Sequence, residues 1–80
     1  MTATATVLYF ASLRDAAGVA SEQVPAGGAL DALYDALRAR HGFALDRGRL
    51  RVAVDGEFAD WQAPVRAGSE IAFIPPVSGG

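Results

Sequence analysis

The residues best placed to do chemistry stand at the end of the chain, which reads Phe73-Ile74-Pro75-Pro76-Val77-Ser78-Gly79-Gly80. A terminal α-carboxylate has an ordinary pKa of roughly 3.3–3.7, so at neutral pH it is an anion that resists nucleophiles. Joining it to AMP gives it a good leaving group. A sulfur nucleophile can then convert the terminus to a thiocarboxylate, which splits one difficult substitution into two easier ones. Gly79 and Gly80 offer no side chain, so such a terminus can enter a narrow channel. Pro75 and Pro76 fix their own backbone and remove two donors, making the segment a stiff extended arm. From Pro75 to Gly80 that arm spans about 20 Å when extended. A frayed, functionless end is the plain alternative. The Pro-Pro spacer argues against it, because fraying needs no stiffening.

The rest of the chain offers little other reactive chemistry. There is no cysteine, hence no disulfide, thiolate metal site or persulfide. All seven basic residues are arginine, so no lysine amine is present to attack an activated acyl group. His41 stands beside Gly42 at a predicted helix end, where interaction with the helix dipole explains it without catalysis. Asp55 and Glu57 flank a turn, which accounts for both without an acid pair. Arg14 has two open readings, contact with a partner or anion and ordinary solvation in a loop. Trp61 reads as a cover for one end of the sheet, with an interface anchor as the alternative. No metal site is expected.

Positioning such a tail requires a compact body. Thr6 to Ala11 is a short β-rich apolar run, expected as a strand buried on both faces. Ser12 to Gly18 follows as a structured loop, with Ser12 able to cap a helical turn and Gly18 able to end it. Val19 to Val24 is a weaker strand, and Pro25 marks it as an edge. Leu30, Leu33, Tyr34 and Leu37 recur at helical spacing, predicting a helix over Ala29 to His41 that Gly42 terminates. Its Gly27-Gly28 entry lacks the preferred Ser or Thr cap. Phe43 to Gly48 is expected to be irregular. Leu50 to Val54 alternates with period two into Asp55-Gly56, a tight-hairpin signal, with Glu57-Phe58-Ala59 returning. Glu70 to Ile74 is the last strand, stopped by Pro75-Pro76. One helix covers one face of such a sheet, and an apolar face left open marks a partner interface. Phe73, Ile71 and Leu8 are candidates for either that interface or the core.

Eighty residues fit one domain, 1–80, with 75–80 as its extended tail. A chain this short buries only about 60–65% of its unfolded surface, leaving no room for a deep catalytic cavity. A formal charge of −2 without a basic cluster excludes a nucleic-acid binder of the phosphate-neutralising kind. No apolar run approaches the roughly 20 residues needed to span a bilayer, and no signal-peptide pattern opens the chain. The expected location is cytoplasmic.

Three stretches resemble the small subunit of molybdopterin synthase, a family of ubiquitin-like β-grasp sulfur carriers. Val7 to Gly18 is similar to that family's opening strand and loop, Val52 to Gly56 to its central hairpin, and Phe73 to Gly80 to its closing motif. The resemblance implies an α+β fold, a mixed sheet of about five strands with one main helix on one face. It also implies a cycle. A ubiquitin-activating-like adenylyltransferase, consuming ATP, adenylates Gly80. Sulfur is then installed as a thiocarboxylate, and the tail enters the large synthase subunit to build the molybdopterin dithiolene from a cyclic pyranopterin. The implied assembly is a heterotetramer of two small and two large subunits, with the active site on the large one and no cofactor bound by this chain. The residues expected to do the chemistry are Gly80 and Gly79. Those expected to meet partners are Phe73, Pro75, Pro76, Val77, Ser78 and Arg14. A sister carrier for thiamine, tRNA thiolation or cysteine synthesis, a ubiquitin-like modifier, and a plain interaction module are the rival expectations.

Overall fold

A computed structural model of the chain describes residues 3–76. The elements run β1 (Thr4–Leu8), α1 (Ala11–Ala17), β2 (Ser21–Pro25), α2 (Leu30–His41), a 3-10 turn (Arg47–Arg49), β3 (Arg51–Val54), β4 (Glu57–Phe58) and β5 (Glu70–Ile74). The strands form one mixed sheet in the order β2-β1-β5-β3-β4. β1 and β5 are parallel, with Thr6, Val7 and Leu8 opposite Glu70, Ile71 and Ala72, and the other pairings are antiparallel. This is the expected five-stranded sheet, and β2 lies at an edge as Pro25 implied.

Period-two alternation decides what each strand buries. Ala5 and Val7 of β1, Val24 of β2, Val52 of β3, and Ile71 and Phe73 of β5 all point to one face. Leu30, Tyr34 and Leu37 of α2 and Leu13 of α1 complete that core, with Tyr9, Phe43, Leu50 and Val65 closing its ends. Tyr34 is its aromatic centre, stacked on Phe43 at 5.8 Å and edge-on to Phe73 at 5.0 Å between ring centroids. Trp61 stacks on Phe73 at 5.9 Å and so closes this cluster, the covering role expected of it.

Three expectations are corrected. The first strand stops at Leu8, not Ala11, because Ala11 turns to φ +51° and the Phe10 carbonyl accepts the Leu13 amide at 3.1 Å, starting a helix. It is also covered on one face only, with Thr6 and Leu8 half-exposed on the other. Residues 11–17 form α1 rather than a loop. Ser12 lies inside that helix and Phe10 occupies the cap position without a side-chain bond, whereas Gly18 ends it at φ +76° as expected.

The Gly27-Gly28 entry to α2 has a physical account. The Gly27 amide donates to Val65 O at 2.8 Å, and the Leu30 and Asp31 amides donate to Ala63 O and Trp61 O, each at 2.9 Å. Backbone carbonyls of residues 61–65 satisfy the first donors of the helix, so a Ser or Thr cap is superfluous. The chain reaches that position at φ +114° and +72°, which glycine adopts without penalty.

Candidate functional site

β5 sets the geometry of the site because the tail leaves from its end. Strand alternation sends Phe73 inward and Ile74 outward. Phe73 is 0% exposed, packed between Tyr34 and Trp61. Its expected contact with a partner is therefore corrected: its side chain is core, and so is that of Ile71, also 0% exposed. Leu8 stays on the open face. Pro75 is half-buried and Pro76 exposed where the chain departs. Val77, Ser78, Gly79 and Gly80 lie outside the described residues.

The face away from the helices divides in two. On the β2 side it is polar, where Gln23 accepts from the Thr4 hydroxyl at 3.1 Å and donates to Thr6 at 2.7 Å. On the β5–β3–β4 side it is apolar. There Phe10, Ala53, Gly56, Phe58, Glu70, Ala72 and Ile74 line an open hollow of about 420 Å³. Phe10 is 46% and Phe58 67% exposed, and large aromatics left in water on one patch mark a binding surface. The register explains their convergence, since Ala53 faces both Phe58 and Ala72, and Arg51 faces Ile74. Small Ala53 and Ala72 form the floor; Phe10, Phe58 and Ile74 stand around them. A second hollow adjoins this one at the tail root, lined by Gly48, Arg49, Leu50, Arg51, Phe58, Ile74, Pro75 and Pro76. Sequence reading anticipated an open apolar face but assigned it the wrong β5 residue. The signal that could have separated Ile74 from Phe73 is the pairing register, which a lone strand does not reveal.

The other candidates sit apart. Arg14 is exposed on α1, and its carbonyl takes the Gly18 amide. Asp55 is a turn residue at φ +52°, with its carboxylate accepting the Glu70 amide at 2.9 Å. His41 does more than end a helix. Its Nε2 lies 2.7 Å from Glu22, which also accepts the Tyr9 phenol and pairs with Arg40 at 3.2 Å. Burial alone would raise the Glu22 carboxyl, but the Tyr9 and His41 hydrogen bonds and the Arg40 charge prevail and hold it below its usual range. Burial, then the Glu22 bond, drives the Tyr9 phenol well above its ordinary value. This cluster ties β1, β2 and α2 together. Among the described residues no group of three or more His, Cys, Asp or Glu is arranged to hold a metal, and no helix is long and apolar enough to cross a membrane.

Comparison with known proteins fits this geometry. The ThiS family matches residues 7–80. The molybdopterin synthase sulfur carrier subunit of Escherichia coli is 36% identical over 78 residues, covering 92% of this chain and 96% of its own length. The fold superposes on small archaeal modifier protein 1 of Haloferax volcanii with a TM-score of 0.76 at 27% identity, covering 94% of this chain and 99% of that one. It also superposes on a chain from the complex of subunits 1 and 2 of molybdopterin-converting factor from Helicobacter pylori. There the TM-score is 0.69 at 23% identity, covering 96% and 99%, a likeness of fold. A β-grasp sheet whose last strand ends beside a bare apolar hollow, matched nearly end to end by these relatives, makes the chain a member of the ThiS family, akin to the molybdopterin synthase sulfur carrier subunits.

Proposed function

We propose that this chain is the sulfur carrier subunit of a molybdopterin synthase, working in the cytoplasm with a large catalytic subunit. The observation that carries the reading is the continuity of β5 with the tail. Ile74, the last residue of the strand, lines the apolar hollow, and Pro75-Pro76 leads directly from it. A partner that covers Phe10, Phe58 and Ile74 is thereby set beside the origin of the tail, which fixes where the terminus is delivered. The Gly80 carboxylate displaces pyrophosphate from ATP on an adenylyltransferase. A sulfide-level sulfur nucleophile then attacks the glycyl carbonyl and expels AMP, leaving the thiocarboxylate. In the large subunit that sulfur passes to the cyclic pyranopterin, and water restores the carboxylate at Gly80. Gly79 keeps the approach slim, while Val77, Ser78 and the prolines are the residues that meet the partner. This chain binds no cofactor; ATP is consumed by the activating partner.

Two measurements test this. After co-expression with the adenylyltransferase, intact mass should show one oxygen exchanged for sulfur, and an unchanged mass under active loading refutes the carrier role. Purified with the large subunit and supplied with pyranopterin, the loaded chain should yield molybdopterin. One residue added after Gly80 should reduce that yield by about a hundredfold or more, since displacing the reacting atom by even 1 Å is costly. Covalent adducts on cellular lysines would instead favour the modifier role that the Haloferax protein's name describes.

A further inference from the structure

The basic residues at the tail root have no role in the chemistry above. Arg51 stands opposite Ile74 on the open face, with its guanidinium 4.9 Å from the centroid of the Phe58 ring. Arg49 lines the same hollow as Arg51, Pro75 and Pro76. Among the described residues neither makes an ion pair, whereas neighbouring Arg47 is paired with Asp35 at 3.1 Å and Arg40 with Glu22. Acidic groups of this face gather elsewhere. Glu70 begins β5 at the end opposite the tail, and Asp55 and Glu57 sit at the hairpin beside it. On a chain of net charge −2, the apolar hollow is thus basic where the tail leaves and acidic at the far end.

From this arrangement, and resting on the carrier reading, we infer that Arg49 and Arg51 are docking residues for a carboxylate-bearing rim around the tail-accepting channel of the large subunit. Chemistry at Gly80 takes place up to about 20 Å from Pro75, so these arginines serve the docking of the body rather than the reacting group. The cation–π contact holds the Arg51 guanidinium over the Phe58 ring, at the edge of the apolar patch, where its donor fork can meet a carboxylate. Charges at the rim of an interface chiefly set the rate and orientation of encounter and its dependence on salt. The opposite polarity at the Glu70 end disfavours a reversed approach, in which the tail would point away from the channel.

The test is association of the full-length chain with purified large subunit, followed by stopped-flow or surface plasmon resonance at 50 and 500 mM NaCl. The variants are R49E/R51E and R49Q/R51Q, with thermal melts to verify folding. At low salt the on-rate should fall on the order of tenfold or more for the charge reversal and less for the glutamine pair, with little change in off-rate. At high salt the three proteins should converge, since the Debye length contracts to a few ångströms. Unaltered association of both variants at low salt overturns the inference while leaving the carrier reading intact. So does a loss of equal size at both salt concentrations, or a loss confined to the adenylyltransferase. Failure of the unaltered chain to bind the large subunit at all would overturn both.

Discussion

Glu22 shows how one side chain can hold three elements. It accepts from Tyr9 at the end of β1 and from His41 and Arg40 at the end of α2, while its own backbone belongs to the edge strand. Its folded carboxyl titrates below the ordinary value of 4.5. The unfolded state therefore takes up the proton first as pH falls, so the contribution of Glu22 is full above that value and disappears as pH drops through the lower folded one. Chemical denaturation across pH 3–7 should accordingly show E22Q destabilised by about 1–3 kcal/mol at pH 7, with the gap to the unaltered protein closing in acid. Y9F removes one of the bonds that depress Glu22. Its penalty should be about 1 kcal/mol, and it should raise the Glu22 titration midpoint followed by NMR. None of this was legible in the sequence. Glu22 stands in an unremarkable polar stretch, and only the pairing of β1 with β2 brings Val7 and Glu22 level with each other.

At the scale of elements, the parts with strong local signals were readable. The helical spacing of Leu30, Leu33, Tyr34 and Leu37, the stop at Gly42 with φ +74°, and the Asp55-Gly56 hairpin all formed where expected. Each is decided by neighbours a few residues apart. The capping of α2 by carbonyls from residues 61–65 was missed because it depends on distant partners. The start of α1 after Phe10 is local but hangs on the left-handed φ of Ala11, which an alanine does not announce. Asp55 combines both kinds of constraint. It occupies the left-handed region at φ +52° and accepts the Glu70 amide across the sheet. D55A should lose about 1–2 kcal/mol in urea unfolding, through backbone strain and the stranded amide together, whereas D55N, which tolerates the same φ and keeps an acceptor, should lose less.

For the molecule as a whole, the division of the sheet into a covered and a bare face separates folding from binding. Sequence reading reached the fold and the open face. It did not distinguish Phe73 from Ile74, because alternation names two faces without saying which one the helices cover. That division makes a prediction. F58D and I74D place charges on the bare face, where Phe58 is 67% exposed, and should leave the melting temperature within a few degrees while weakening large-subunit binding by tenfold or more in calorimetry. F73A removes a fully buried ring and should cost about 3–5 kcal/mol, enough to unfold much of the protein before any effect on binding can be read.

The central position of β5 has a consequence for biosynthesis. β1 is made first and β5 last, yet they are immediate neighbours in the middle of the sheet. A nascent chain still lacking residues 70–74 has a gap where Ile71 and Phe73 belong, and neither β1 nor β3 has its inner partner. The body therefore closes only after the ribosome has finished the strand that bears the tail. A product truncated before residues 70–74 are made is left as an open, protease-sensitive polypeptide rather than a well-folded decoy that could occupy the synthase without delivering sulfur.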